Sequence, residues 1–324
     1  MVVTFSPPSP DVAAAISQRL QAETNLVYLP ELPESERGGA LSAAEAILAW
    51  NLGAELADEG HLRQLGSQRL IQLLSAGADH VPFDRLPEGV PVASNAGAYA
   101  EPMAEHVLAM ALALAKRLPQ NHAALSRGEF DQQTPTRAIA GTLVGVLGFG
   151  GIGQASARLF RALGASVWGV NRSGRAHELA DRMSTLEDLD AVLPGADILV
   201  ISLPLTRATR ELIGRRELSL LKADAILVNV ARAAIVDEDA LYEHLERNPA
   251  FSAAIDTWWQ EPRHGGSFAT RRPFFQLPNV LGSPHNSALT EGTLAAAAGR
   301  AAKNILRALH DEPVQHLVDR AEYV

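Results

Sequence analysis

The second half of the chain alternates short apolar segments with longer helical patterns, and this alternation restricts the folds that it can adopt. Each apolar segment has the length and composition of a strand that is buried on both faces. These predicted strands span residues 143–147, 166–170, 197–203, 225–230, 252–255 and 279–283. Helical patterns lie between most of them, for example over 152–163 and 237–246. The alternation predicts a doubly wound parallel sheet with helices on both sides.

The first half of the chain shows the same pattern with shorter segments. Its predicted strands span residues 2–5, 26–29, 46–49, 70–75 and 90–93. Helices are predicted over 11–22 and 54–65, over a long Ala/Leu/Met segment at 102–118, and over an alanine-rich segment at 289–309. A chain of 324 residues is long enough for two domains. The fold class that we predict is α/β, with two Rossmann-like, doubly wound parallel-sheet domains.

Composition and charge exclude several classes of protein. The formal net charge of −9 argues against a protein that grips nucleic-acid phosphates. The absence of cysteine excludes disulfides, thiolate catalysis and Cys-ligated zinc, and the histidines lack metal-site spacing, so no metal is expected. The longest strongly apolar segment, 107–115, is shorter than the roughly 20 residues that a membrane span needs. The first residues carry no basic leader pattern, so a cytoplasmic protein is expected.

A glycine-rich turn follows the strand predicted over 143–147 and opens the next helix. The turn consists of Gly148, Phe149, Gly150, Gly151, Ile152 and Gly153, which match the pattern G-x-G-x-x-G. In that pattern the first glycine permits the turn, the second admits a pyrophosphate, and the third lets the helix pack against the strand. Glycines of an ordinary tight turn give the same letters. The position between a strand and a helix favours a dinucleotide site, with phosphates held by N–H groups at the helix start.

The residues after the second strand of this half bear on which dinucleotide is bound. An NAD site usually carries Asp or Glu here, which binds the ribose hydroxyls. This chain has Asn171, Arg172 and Ser173 instead, which offer hydrogen-bond donors and a positive charge to a 2′-phosphate. The alternative is that Arg172 and Arg175 are ordinary surface arginines. The sequence therefore predicts that NADP(H) is preferred over NAD(H).

Three later segments each carry one reactive type of residue at the expected end of a strand. These residues are Arg232, Glu261 and His285. Each has an ordinary alternative, as a surface ion-pair partner, a solvated loop acid and a packed histidine. Because ligands bind beyond the carboxyl ends of parallel strands, all three are candidates for one site. Their occurrence together behind a dinucleotide turn favours catalytic residues.

At these residues the sequence resembles the D-isomer-specific 2-hydroxyacid dehydrogenase family. The resemblance covers about residues 70–310, while the first 69 residues match only in general pattern. The matching segments occur in order and are LSAGADHVP (74–82), NAGAYAEPMAEHVLAMALALAK (95–116), GVLGFGGIG (145–153), LPLTRATRELIG (203–214), LVNVARAAIVDEDAL (227–241), AAIDTWWQEP (253–262) and SPHN (283–286). An ordered set of this size is specific to the family.

The resemblance implies a role for each matching residue. Arg232 binds the substrate carboxylate and polarises the carbonyl, as a planar guanidinium can. His285 is the acid–base residue, and Glu261 fixes its ring and favours its protonated form. The backbone of Ala76 and Gly77 is the other substrate contact. The cofactor-binding residues implied by the resemblance are Leu203, Pro204, Val230, Ala231 and Asp256, with Asp256 at the nicotinamide carboxamide.

The resemblance also implies an architecture and partners. Residues 1–95 and 286–324 form a discontinuous substrate-binding domain, and residues 96–285 form the dinucleotide-binding domain. Two chains form a homodimer through the cofactor domain, along the helix 101–118. The other expected partner is a small 2-keto or D-2-hydroxy acid. Neither a nucleic acid nor a membrane is expected as a partner.

The leading functional hypothesis is an NADP(H)-dependent reductase of the glyoxylate/hydroxypyruvate type. One alternative is an NAD-dependent dehydrogenase of a larger acid such as D-3-phosphoglycerate, and another is a dinucleotide-sensing, corepressor-like module.

The sequence differs from the family pattern in several places. Ala233 replaces the glycine that usually follows the family's arginine, and Glu261 argues against formate oxidation. Trp258 and Trp259 are bulkier than the residues of many relatives at this place. One could line the substrate pocket, while packing in the core is the other interpretation. The basic stretch 263–277 has no role that the sequence indicates.

Overall fold

The computed structural model describes residues 1–262 and 266–324 of the chain, which divides into two compact units. The first unit comprises Met1–Tyr99 with Leu289–Val324, and the second comprises Ala100–Ala288. Each unit contains one sheet in which every strand pair is parallel. The predicted α/β class with two parallel sheets is therefore confirmed, while the assignment of a substrate role and a cofactor role to two domains stays a prediction.

The elements of the described residues are numbered in chain order. The strands are β1 Val2–Val3, β2 Val27–Tyr28, β3 Ala46–Ala49, β4 Leu70–Leu73, β5 Val92–Ala93, β6 Leu143–Leu147, β7 Ser166–Val170, β8 Arg182–Ser184, β9 Ile198–Ile201, β10 Ile226–Asn229, β11 Ser252–Ile255 and β12 Val280–Gly282. The helices are α1 Pro10–Leu20, α2 Glu34–Ala43, α3 Leu52–Glu55, α4 Glu59–Arg63, α5 Ala100–Ala115, α6 Leu118–Ser126, α7 Gly151–Ala162, α8 Leu189–Val192, α9 Arg215–Leu220, α10 Glu238–Arg247 and α11 Thr293–Leu309.

The first unit is built on the sheet β2-β1-β3-β4-β5. Strands β3 and β4, in the interior of this sheet, are buried along their whole length, as strands of a sheet covered on both faces should be. Helix α11 returns from the far end of the sequence and packs against α1, which makes the unit discontinuous. In α11 most of the alanines and Ile305 form the buried face, while Arg300 and Lys303 are exposed.

The second unit is built on the sheet β12-β11-β10-β9-β6-β7-β8. The chain starts at β6 in the interior, continues outward through β7 and β8, and then returns to β9 on the other side of β6. The strand order therefore reverses between β6 and β9, and such a reversal opens a crevice at the carboxyl ends of the strands. The glycine turn follows β6 and Leu203 follows β9, so both lie at this edge.

The structure departs from the predicted elements where capping and turn chemistry interrupt an apolar pattern. The helix predicted over 54–65 is two short helices, because the side chain of Asp58 accepts a hydrogen bond from Gly60 N and starts α4 separately. The helix predicted over 102–118 ends at Ala115, where Arg117 adopts a left-handed conformation (φ 53°), and α6 follows. Helix α2 was not predicted, since Gly38 and Gly39 weaken its pattern.

No helix in the described parts of the chain combines the length and apolar character that crossing a bilayer requires.

Candidate active site

Gly148 makes the sharp turn at the end of β6. Its φ of 96° is left-handed, and a Cβ there would lie 2.6 Å from the backbone of Ser202. The N–H groups of Gly148 and Phe149 both donate to the carbonyl of Val170, each at 3.0 Å. Any other residue at this position would be strained by the left-handed backbone, and its Cβ would collide with the backbone that follows β9.

Gly150 and Gly153 serve two different contacts at the start of α7. A Cβ on Gly153 would lie 2.1 Å from the carbonyl oxygen of Gly148, so only glycine lets the helix approach the turn this closely. A Cβ on Gly150 would meet no atom within 4 Å, and no side chain caps the helix at this position. The first N–H groups of α7, at Gly151 and Ile152, have no partner within the helix. This open, uncapped helix start fits the pyrophosphate of a dinucleotide.

The segment after β7 forms a compact turn around Asn171. The side-chain oxygen of Asn171 accepts hydrogen bonds from Ser173 N at 3.0 Å and from Gly174 N at 2.7 Å. The side chains of Arg172 and Ser173 are exposed. No carboxylate lies in the sequence from 171 to 175, so this turn presents amide, hydroxyl and guanidinium donors.

The predicted cofactor residues after β9 and β10 are fixed by side chains that the sequence did not single out. Thr209 Oγ1 donates to Pro204 O at 2.7 Å and accepts from Thr206 N at 2.8 Å, which holds the segment that starts with Leu203. After β10, Asn229 Oδ1 accepts from Ala231 N at 3.0 Å. The Asn229 amide donates to Arg232 O at 3.1 Å, so Val230 and Ala231 lie in a tightly bonded turn.

The three candidate catalytic residues all belong to the second unit. Arg232 has an extended backbone and a partly buried side chain, whose guanidinium donates to Ala231 O at 2.8 Å. His285 Nδ1 lies 2.8 Å from Glu261 Oε2, which is a hydrogen-bond distance. The other carboxylate oxygen of Glu261 accepts from Trp258 N at 2.9 Å. With Nδ1 donating to the carboxylate, Nε2 of His285 is left for proton transfer.

The ionisation of Glu261 follows from its surroundings. Burial acts to raise the pKa of Glu261, but the hydrogen bonds from His285 and Trp258 N and the positive charges of His285 and Arg232 act in the other direction. The net effect lowers the pKa of Glu261 below its ordinary value. The carboxylate is therefore ionised at neutral pH, and Arg232 lies near enough for its charge to contribute.

Asp256 organises the loop that carries His285. Its side chain is fully buried, and its Oδ1 accepts from Ser283 Oγ at 2.5 Å and from Asn286 N at 3.2 Å. Its backbone oxygen accepts from His285 N at 2.8 Å. His106, on α5, reaches Ser283 Oγ with Nε2 at 3.0 Å. The carboxamide contact that the resemblance implies for Asp256 stays a prediction; the structure gives this carboxylate a role in shaping the loop.

Ala76 and Gly77 lie in the first unit, in the turn after β4. Ser75 Oγ donates to Gly77 O at 2.8 Å, and Tyr99 Oη donates to Leu74 O at 2.8 Å. The turn is partly exposed and internally bonded. Its role in substrate binding stays a prediction.

The stretch 263–277 is described from residue 266 onward, and residues 263–265 lie outside the described residues. Arg272 Nε donates to Asp239 Oδ1 at 2.6 Å, which ties this stretch to the first turn of α10. Phe274 is fully buried and stacks on Trp259 with ring centroids 5.4 Å apart. Trp258 is also buried, and its Nε1 donates to Ser283 O at 2.9 Å. Both tryptophans therefore pack in the second unit.

Comparisons with known proteins identify the family of the chain. Residues 108–287 match the family model of the D-isomer specific 2-hydroxyacid dehydrogenase NAD binding domain. The chain is 32% identical over 98% of its length to glyoxylate/hydroxypyruvate reductase B of Pectobacterium carotovorum, covering 97% of that protein. It is 32% identical over 78% of its length to D-3-phosphoglycerate dehydrogenase of Methanocaldococcus jannaschii, and it spans only about half (47%) of that relative's length.

One similar solved structure also holds a bound dinucleotide. It is a D-isomer specific 2-hydroxyacid dehydrogenase from Xanthobacter autotrophicus in complex with NADPH and MES. That chain superposes with a TM-score of 0.81 at 29% identity, and the match covers 100% of both chains.

Proposed function

The chain belongs to the D-isomer-specific 2-hydroxyacid dehydrogenase family, and on this premise we propose that it is a 2-ketoacid reductase. The reaction that we propose transfers a hydride between NADP(H) and a small 2-keto or D-2-hydroxy acid of the glyoxylate/hydroxypyruvate type. The observation that carries the proposal is the 2.8 Å contact between His285 and Glu261, in the same unit as Arg232 and the uncapped start of α7. An acid–base pair, a cation for a carboxylate and a phosphate-binding turn are what this reaction needs.

Each catalytic residue has one step to perform. The guanidinium of Arg232 forks to the substrate carboxylate and polarises the adjacent carbonyl. When bound, the nicotinamide supplies the hydride to C2 in reduction and takes it from C2 in oxidation. In reduction, His285 gives its Nε2 proton to the carbonyl oxygen, which becomes the hydroxyl; in oxidation, the neutral ring takes that proton back. Glu261 keeps its bond to Nδ1 throughout and balances the charge of the imidazolium.

Two features support NADP(H) as the preferred cofactor. The turn at Asn171, Arg172 and Ser173 has no carboxylate to repel a 2′-phosphate and offers several donors. The Xanthobacter autotrophicus relative is a complex with NADPH. We place the dinucleotide phosphates at Gly150, Gly151 and Ile152.

We also propose a homodimer that forms through the second unit, in the region of the predicted helix 101–118. Most of the apolar residues of α5 are buried within the unit itself. Three exposed apolar side chains follow shortly after it, at Leu118, Leu125 and Phe130. Apolar side chains grouped in this way are typical of an interface.

The test is the loss of nicotinamide absorbance with NADPH and NADH in parallel, across glyoxylate, hydroxypyruvate, pyruvate and bulkier 2-keto acids. We expect turnover with the small acids and a preference for NADPH. A preference for NADH would refute the cofactor proposal and leave the reaction standing.

The second pair to assay is 3-phosphohydroxypyruvate with NADH, because one relative is named D-3-phosphoglycerate dehydrogenase. Turnover of that pair above all others would replace the small-acid proposal. Dinucleotide binding without turnover of any acid would favour the corepressor-like module.

A further inference from the structure

A small basic pocket lies in the first unit, between α11, the end of β5 and the segment that precedes the final turn. Its volume is about 230 Å³, below the roughly 300–1,000 Å³ of sites for drug-sized ligands. Arg300, Lys303 and Arg307 line it from α11, and Ser94, Asn95 and His316 line it from the facing segments. Every lining residue is polar or basic, and none of them belongs to the residues assigned to catalysis or to the dinucleotide.

The three cations of the pocket are not neutralised by carboxylates. Their spacing of three and four residues places them on one face of α11, where like charges repel. Elsewhere arginines meet acids directly, as Arg69 meets Asp311 at 2.8 Å. Among residues 1–262 and 266–324, no carboxylate forms an ion pair with Arg300, Lys303 or Arg307. Within the described residues, a chain of net charge −9 thus keeps three positive charges without a carboxylate in direct contact around one small cavity.

The walls of the pocket are held by hydrogen bonds to the backbone. Arg300 donates to Ala96 O at 3.0 Å and to His316 Nε2 at 2.9 Å. Gly97 lies beside this arginine in a left-handed conformation (φ 81°), and a Cβ there would be in van der Waals contact with the guanidinium nitrogens at 3.6 Å. Arg307 donates to Pro313 O at 3.3 Å. Because these partners are neutral, they orient both guanidinium groups without cancelling their charge.

The opposite wall is fixed in the same way. Asn304 accepts from Gln315 N and donates to Gln315 O, both at 2.9 Å, which anchors the residue before His316. Ser94 N donates to His316 O at 3.0 Å. A ring nitrogen that accepts from Arg300 carries no proton, and burial together with the charge of Arg300 lowers the pKa of His316. The neutral ring therefore lines the pocket without adding to its charge.

We propose that this pocket is a binding site for a small anion with several negatively charged oxygens, of the polycarboxylate or phosphate class. Oriented guanidinium groups bind carboxylate and phosphate oxygens through paired, charge-assisted hydrogen bonds, and Lys303 adds a mobile point charge. The small volume and the polar lining exclude a large or apolar ligand. The site does not depend on the reaction that the second unit performs.

The experiment is isothermal titration of the full chain with citrate and, separately, with inorganic phosphate, at constant ionic strength set with chloride. We expect saturable binding of at least one anion, and the comparison shows which oxyanion class the pocket takes. In the double variant Lys303→Gln/Arg307→Gln, binding should weaken about tenfold or more, because two charge-assisted contacts are lost. Far-UV circular dichroism and the melting temperature confirm that the variant is folded.

Two further variants separate this site from general charge effects and from the second unit. Arg85→Gln removes an exposed positive charge from the same unit and should leave binding unchanged. Arg232→Gln should also leave it unchanged. The proposal is overturned if neither anion binds at constant ionic strength, if Arg85→Gln weakens binding as much as the double variant, or if only Arg232→Gln abolishes it.

Discussion

At His285 the backbone and the side chain are held by different partners. The residue adopts a left-handed conformation with φ 50°, which costs a non-glycine residue about 1–3 kcal/mol. The N–H bond to Asp256 O maintains this backbone, and the Glu261 carboxylate orients the ring. Backbone strain of this kind persists where the surroundings hold it in place, and here those surroundings aim one ring nitrogen away from Glu261.

The charge of Glu261, more than its shape, should set the pH range of the reaction. Glu261→Gln keeps a side chain of the same size but removes the charge that favours protonated His285. We expect kcat for keto-acid reduction to fall about tenfold or more, and the alkaline limb of its pH profile to move to lower pH. Steady-state rates from pH 5 to 9 provide the measurement. Glu246→Gln, at an exposed site on α10, is the control, and an unchanged profile in Glu261→Gln would refute the pairing.

The same pair links stability to acid pH. The pKa of Glu261 is lowered from its ordinary value of 4.5, so its contribution to stability is present above that value. The contribution is lost as the pH falls from 4.5 through the lowered pKa, because in that range the unfolded chain binds more protons than the folded one. We expect the melting-temperature difference between wild type and Glu261→Gln to be present at pH 6 and to shrink below about pH 4.5. A difference that grows on acidification would contradict this sign.

At the scale of elements, Gly150 and Gly153 of the glycine turn should affect different properties of the protein, the first cofactor binding and the second stability. Gly150 has open space at its Cβ position and a φ of −85°, so Gly150→Ala should fold normally but obstruct the approach of a pyrophosphate. Gly153→Ala should destabilise the protein, since its Cβ would lie 2.1 Å from Gly148 O. We expect dinucleotide binding, measured by fluorescence titration, to weaken in the first variant at an unchanged melting temperature. Equal melting temperatures for both variants would refute the distinction.

The loop after β12 depends on one hydroxyl. Ser283 bridges His106 on α5 to the buried carboxylate of Asp256. Ser283→Ala removes the hydroxyl that joins these two groups, while Asn286 N still donates to Asp256, and it should lower the free energy of unfolding by about 1–3 kcal/mol, measured with urea. Ser283→Thr retains the hydroxyl and should recover most of it. Ser219→Ala, which removes an exposed hydroxyl on α9, should change it by no more than about 0.5 kcal/mol.

The sequence predicted most of the features that depend on neighbouring residues and missed those that depend on residues far apart in the chain. Strands β3, β7 and β11 were predicted with the bounds that they have, because a short, largely apolar run between polar turns is a local signal. Glu261 and His285 were singled out because each follows a strand. The Ser283–His106 contact joins residues 177 positions apart, and no local pattern reports such a contact. The break at Asp58 was missed because a cap can compete with an apolar pattern.

At the scale of the whole molecule, the two units carry different kinds of surface. The first unit has the basic pocket of α11 and separate exposed leucines at Leu289 and Leu317, whereas the second has three exposed apolar side chains close together in sequence just after α5. Charged groups keep a surface hydrated, whereas grouped apolar side chains favour association. The second unit is therefore the one through which we expect two chains to associate.

The mass of the molecule in solution tests this association. Leu118 and Leu125 are each 56% exposed and Phe130 is 74% exposed, so burying them in an interface would remove a large apolar area from water. We expect light scattering after size-exclusion chromatography to give about twice the chain mass of 34.6 kDa.

The double variant Leu125→Glu/Phe130→Glu should give the monomer mass, because two charges would have to be desolvated at the contact. Leu163→Glu places a charge on a 40% exposed leucine at the end of α7 and should leave the dimer intact. If the double variant remained dimeric while Leu163→Glu dissociated, the interface would lie elsewhere on the second unit.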